Sequence, residues 1–99
     1  MAVAEISVVP VGTAGASISS YVVGAVEIVR ASGLKYELSS MGTNVEGDVQ
    51  AILDLAKRVH EACFAQGAVR VLTTLKIDDR RDKPLSIDGK KTAVTARLK

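Results

Sequence analysis

Between Tyr36 and Gly47 the chain reads YELSSMGTNVEG. Ser39, Ser40 and Thr43 bring hydroxyls to this stretch, Asn44 an amide and Glu46 a carboxylate. Such groups recognise a small polar ligand by hydrogen bonding, and a carboxylate adds charge-assisted bonds to an amine or a cation. A second polar stretch, KIDDRRDK, runs from Lys76 to Lys83. Arg80 and Arg81 in it could grip a phosphate or a carboxylate bidentately. They could equally form internal ion pairs or a subunit contact, which is the reading preferred here. Nowhere does a nucleophile stand with a base and an orienting group, so the expectation is a binding protein and not an enzyme. His60 has no second histidine or cysteine at metal-ligand spacing and reads as a packed or edge residue. Cys63, three residues on, reads as a small core residue. No metal or resident cofactor is expected.

These groups need a scaffold, and the chain supplies one in regular order. Ala2–Val9 alternates as a strand, with Ala4, Ile6 and Val8 on one face and Glu5, Ser7 and Val9 on the other. Pro10 is expected to close it. The small-residue loop from Val11 to Ala16 precedes a helix capped by Ser17 or Ser19. Ile18, Tyr21, Val22, Ala25, Ile28 and Val29 fall at helical spacing, and Gly33 marks its end. Strands follow over Lys35–Ser39 and Thr43–Glu46, with Gly42 in the turn, where glycine would tolerate a positive φ. Asp48 can cap a second helix whose stripe is Val49, Ile52, Leu53, Ala56, Val59, His60 and Cys63, ending at Gly67. A fourth strand is predicted over Ala68–Ile77, with Val69, Val71, Thr73, Leu75 and Ile77 on one face. A tail helix runs from about Ser86 to Leu98, with Ile87, Val94 and Leu98 on one side.

The order is β-α-β-β-α-β with a tail helix, an α+β, ferredoxin-like sandwich. Four antiparallel strands carry two helices on one face. The other face should display Glu5, Ser7, Glu37, Ser39, Asn44, Glu46, Arg70, Leu72, Thr74 and Lys76. That face is too polar for a second core, and water or another subunit could cover it, with a polar pocket trapped between. The 99 residues form one domain, 1–99, with 47% apolar and 24% charged residues, long enough for one core without staples. The net charge of +2 makes no electrostatic case for nucleic acid or an anionic membrane. A single cysteine excludes a disulfide framework or a structural zinc site and suits a cytoplasmic location. Neither a signal peptide nor a membrane span is expected.

With these residues in place the chain resembles the small thiamine-binding proteins of about a hundred residues, long catalogued as an uncharacterised protein family. The likeness rests on ISVVPVGT (Ile6–Thr13), SISSYV (Ser17–Val22), SGLKYELSSMGTNVEG (Ser32–Gly47) and GAVRVLTTLKIDDRRDK (Gly67–Lys83). It implies a ferredoxin-like fold, dimers or tetramers through the sheets, and binding of thiamine (vitamin B1) or its pyrimidine moiety without catalysis. Ser40 departs from the proline often found before Met-Gly-Thr, which bears on ligand fit and not on fold. Under this likeness the ligand-binding candidates are Ser7, Ser39, Met41, Thr43, Asn44, Glu46 and Thr74, placed in a polar pocket on the open sheet face. Glu46 or Glu37 would give the charged bonds and Met41 an adaptable wall. On the residues alone, both glutamates could instead pair with Arg70 and Lys76 across strands. Tyr36 could add a hydroxyl to the pocket or pack in the core.

Other users of this topology compete. An amino-acid-sensing regulatory module is the alternative reading, although such modules usually ride on an enzyme. An acylphosphatase-like enzyme wants an arginine in the first loop, and Pro10–Ala16 has none. An RNA-binding domain wants stacking aromatics on its open face, whereas the chain has only Tyr21, Tyr36 and Phe64. The loop before the first helix matches neither GxxxxGK[ST] nor GxGxxG, so nucleotide binding gains little from it.

Overall fold

The computed structural model describes residues 1–12 and 19–98. The expected Ser17 cap, Ile18 and most of the small-residue loop lie outside these residues. The elements are β1 (Ala2–Pro10), α1 (Ser19–Ala31), β2 (Lys35–Ser39), β3 (Gly42–Gly47), α2 (Val49–Ala65), β4 (Val71–Asp79) and α3 (Ile87–Thr95). The sheet is antiparallel in the order β2-β3-β1-β4. This is the ferredoxin-like arrangement anticipated from the element order.

Alternation sets the faces. Ala2, Ala4, Ile6 and Val8 point from β1 toward the helices, with Val45 beside them on β3, and all five are buried. Val71 and Leu75 of β4 pack against the same cluster. The helices close it with Ala25 and Val29 of α1 and Ile52, Leu55, Ala56, Val59 and Cys63 of α2. The inward stripe of α2 thus includes Leu55, 1% exposed, and not Leu53, 42% exposed. The apolar spacing allows either residue at the stripe's margin. The angle at which α2 docks on the sheet selects Leu55.

Helix ends follow their local chemistry. Asp48 accepts a hydrogen bond from the Gln50 amide at 3.1 Å, and Ser86 accepts one from the Gly89 amide at 2.9 Å. Gly33 and Gly67 take φ of +79° and +102° just past α1 and α2, the left-handed conformation that glycine adopts without steric cost. The Ala68 amide donates back to the Cys63 carbonyl at 3.2 Å, capping α2.

Three local expectations are revised. Gly42 does not have a positive φ. It is the first residue of β3, and a Cβ there would lie 3.1 Å from both the Ile6 carbonyl oxygen and the Glu5 Cγ. Glycine permits that close approach to β1. Pro10 does close β1, but from inside the ladder and not beyond it: it is the strand's last residue and pairs with Val71, and the Val11 amide donates to the Arg70 carbonyl at 2.8 Å. The proline is tolerated because its nitrogen faces away from β4, where no ladder bond is required of it. The fourth strand begins at Val71, later than expected, and leaves Val69 86% exposed and Arg70 ahead of the strand.

The tail helix lies over the outer face of the sheet. Ile87 is 4% exposed, while Val94 and Leu98, expected on the same side, are exposed. Three ion pairs join α3 to outward residues: Asp88 to Lys35, Lys91 to Glu37 at 3.1 Å, and Lys90 to Asp78 at 2.5 Å. One apolar anchor and exposed charges make a weak attachment, because exposed ion pairs contribute little and are screened by salt. The hydrogen bond from Lys35 holds the Asp88 carboxyl below its usual value, and Asp88 raises Lys35 in return. A depressed aspartate stabilises above its unfolded value of about 3.9, and that contribution vanishes as pH falls through its folded value. The raised lysine contributes below its ordinary value and loses that contribution as pH climbs through its folded one. Protection of the α3 amides, taken relative to their intrinsic exchange rate at each pH, is therefore expected to fall as pH drops below the ordinary aspartate range, and again in strong salt, before α2 opens. Simultaneous opening of the two helices would refute this local release.

Candidate functional site

A notch in the sheet makes the site. β1 pairs with β4 along all of Ala2–Pro10, but with β3 only from Ala2 to Ile6. The β2–β3 hairpin turns at Ser40 and Met41, beside the unpaired half of β1. A cavity of about 240 Å³ opens there between the hairpin tip, β1 and α1. Its walls are Ile6, Val8 and Val9 of β1, Val22, Ala25, Val26 and Val29 of α1, Leu38 of β2 and Val59 of α2. Ser7, Ser39, Ser40, Met41, Gly42 and Thr43 complete it. The volume falls below the range usual for drug-sized ligands and suits one ring with small substituents.

The polar groups here are hydroxyls and backbone, without a charged side chain among the described lining residues. Thr43 is buried on the helix side of the sheet, and its hydroxyl has no hydrogen-bond partner among the described residues. Ser39 donates its hydroxyl to the Gly42 carbonyl at 2.9 Å and thereby shapes the tip. Met41 is 80% exposed at the rim. Of the seven candidate ligand residues, Ser7, Ser39, Met41 and Thr43 thus line one cavity.

The other three are elsewhere. Asn44 faces outward, in a shallow depression with Glu5, Lys76 and Asp78. Thr74 is exposed on β4, opposite Ser7. Glu46 is buried on the outer side of the sheet, 3.9 Å from the Lys35 ammonium. Its Oε1 atom has no hydrogen-bond partner among the described residues. The cross-strand pairs expected for the glutamates take different partners: Glu37 meets Lys91, and Lys76 meets Glu5 at 3.8 Å. β4 lies beyond β1 from β3, so Arg70 and Lys76 cannot stand opposite Glu46.

The α1 wall was not singled out as a site in the sequence. Val22, Val26 and Val29 recur at helical spacing, which signals burial but not burial against empty space. Tyr36 packs against the core and not in this cavity. His60 Nδ1 lies 2.6 Å from Thr73 Oγ1, and its ring meets Phe64 edge-on with centroids 5.3 Å apart. Cys63 is buried, and desolvation pushes its thiol up, away from the reactive thiolate. A wider, more open depression lies by Asp48, Asp79, Arg80, Arg81 and Asp82. Arg80 already binds Asp82 at 2.5 and 2.9 Å, and Arg81 binds Asp79 at 2.9 Å. No group of His, Cys, Asp and Glu among the described residues could hold a metal ion. Among them, too, no helix is long and apolar enough to cross a membrane.

Residues 4–95 match the family described as Thiamine-binding protein. The chain belongs to that family. A UPF0045 protein of Methanothermobacter thermautotrophicus is 42% identical over 99% of this chain and 100% of its own length. The UPF0045 protein YqgV of Bacillus subtilis is 37% identical over 99% and 98%. Among solved structures, the hypothetical protein MJ1052 from Methanocaldococcus jannaschii superposes with a TM-score of 0.86 at 40% identity, covering 98% of this chain and 97% of that one. A candidate thiamine biosynthesis/salvage protein from Thermotoga maritima gives a TM-score of 0.78 at 27% identity, covering 94% and 97%.

Proposed function

We propose that this protein binds thiamine, or the pyrimidine moiety of thiamine, without catalysing its conversion, and that the cavity between α1 and the β2–β3 hairpin receives the pyrimidine ring. The observation that carries the reading is the uncharged, hydroxyl-bearing cavity in a chain of the thiamine-binding family. Apolar walls cover the ring faces. The free Thr43 hydroxyl and the Ser39–Gly42 rim meet its polar edge. The thiazolium then lies toward the opening, where Glu5 abuts Gly42. Glu46, Asn44 and Thr74 form no part of this pocket: Glu46 is buried on the side that α3 covers, and the exposed part of the outer face, around Thr74 on β4, serves assembly instead.

Assembly belongs to the same proposal. Val9 and Leu72 stand opposite one another on the outer face, 38% and 61% exposed, and β4 is a nine-residue edge strand. Long uncovered edges pair readily with other strands. The chain is expected to form dimers or tetramers through its sheet in the cytoplasm. Sedimentation at micromolar concentration should give a multiple of 10.4 kDa, and a mass equal to the single chain would reject the assembly.

The test of function is thermal unfolding with thiamine, with its free pyrimidine alcohol and with a panel of amino acids. A ligand at about 100 times its dissociation constant stabilises by roughly 2.7 kcal/mol, which moves the midpoint of so small a domain by several degrees. A shift with the first two alone is the expected result. A shift with an amino acid, or with nothing, would reject it.

A further inference from the structure

We infer that the free backbone edge of Val8 reads the ligand, selecting a heterocycle that presents a ring-nitrogen acceptor and an amino donor over one bearing an oxo group in place of the amine. This rests on the cavity assignment above and adds to it the group that sets specificity.

The orientation follows from the strand register. In an antiparallel strand the N–H and C=O of one residue point to the same side, and successive residues alternate. The Val11 amide donates to Arg70 of the β4 side, and Val11 and Arg70 continue the register that pairs Pro10 with Val71. The odd-numbered residues of β1 therefore bond toward β4, and the even-numbered ones face β3. The close approach of the Ile6 carbonyl oxygen to Gly42 agrees with this phase. Ile6 is the last residue of β1 to pair with β3. Val8, the next even-numbered residue, directs its N–H and C=O into the notch, and it lines the cavity. The pairing register gives these two groups no partner among the described residues. Pro10, the next on that side, has no N–H to offer. The unpaired edge inside the notch therefore has one donor, the Val8 N–H, with the Val8 carbonyl as acceptor beside it.

An aminopyrimidine satisfies both groups, its ring nitrogen accepting from the N–H and its exocyclic amine donating to the carbonyl. The oxo analogue sets a carbonyl against the Val8 carbonyl and leaves a buried acceptor unpaired. That mismatch costs about 10- to 100-fold in affinity, which is roughly 1.4–2.7 kcal/mol.

The experiment uses the full chain labelled with ¹⁵N, titrated with thiamine and with its 4-oxo analogue. Thiamine should move the Val8 amide proton downfield, and the analogue should bind about 10- to 100-fold more weakly. Val8→Pro removes the N–H on the side away from β4 and should weaken thiamine binding. Should that variant misfold, the wild-type amide shift and the analogue ratio still decide the matter. Movement of the Thr43 amide with a still Val8 amide and equal affinities would overturn the edge reading while keeping the cavity. Tight binding without movement at either residue would overturn the cavity assignment and this inference with it.

Discussion

Replacing Ala25 by leucine is expected to abolish thiamine binding and leave the fold in place. Ala25 sits on α1 facing the cavity, with Val22 and Val26 beside it and Val29 one turn further on. A leucine there extends an isobutyl group where a ligand ring would lie. Adding carbons to a filled core usually costs about 1–3 kcal/mol. Here about 240 Å³ of open space receives them, so the unliganded midpoint should change by only a few degrees. The added apolar contacts can even offset the strain. The thiamine-dependent shift of several degrees should disappear, and calorimetric titration should show an affinity reduced by at least about 100-fold, because the ligand would have to expel a packed side chain. Undiminished binding in a folded Ala25→Leu protein would place the ligand elsewhere, and the outer face with Glu46 and Asn44 would be the next region to probe.

The second large effect concerns the core. Ile52 is fully buried against the sheet. Truncation to alanine removes its transfer free energy and leaves a cavity, together worth about 2–5 kcal/mol. At roughly 4–8 °C per kcal/mol for a domain of this size, the midpoint should fall by more than about 10 °C. Leu53 is its neighbour in sequence but 42% exposed, and Leu53→Ala should stay within about 0.5 kcal/mol of the parent. Comparable losses from the two substitutions would mean that α2 docks with a different face than the one described.

That pair of residues shows where sequence reading stops. Val49, Ile52, Ala56, Val59 and Cys63 recur at helical spacing, so a helix with one buried side is legible from the chain itself. The stripe's edges are not, because Leu53 and Leu55 flank its centre and the docking angle on the sheet chooses between them. The strands behaved in the same way. Alternation along β1 and β4 gave the inward phase of Ala4, Ile6, Val8, Val71 and Leu75, since a one-residue slip would turn the apolar set toward water, but it missed Ala2 and counted in Val69, which lies ahead of β4 and is exposed. The length over which two strands pair is a different matter. It depends on where the hairpin tip halts beside β1, and the notch at Val8 exists only because the pairing of β1 with β3 ends at Ile6 and Thr43 while its pairing with β4 continues to Pro10 and Val71.

The polar candidates divided along the same line. Ser39, Met41 and Thr43 are local to one hairpin, so their neighbourhood could be read from YELSSMGTNVEG, and Ser7 joined them through the β1 register. Asn44 and Glu46 belong to the same short stretch but point to the opposite side of the sheet from Thr43 or lie further from the tip. The tail helix then covers Glu46, an outcome that no spacing in the chain announces, because α3 is held by Ile87 and three long-range ion pairs. By itself the sequence determined the elements, their order, the Asp48 cap of α2, the glycine stops at Gly33 and Gly67 and the family likeness, since each arises from periodicity, local hydrogen bonding or shared motifs. The tertiary structure alone decided which face the tail helix covers, which residues of α1 wall a cavity and which peptide edge stays open. Those features come from contacts between segments far apart in the chain, set by strand register and helix docking.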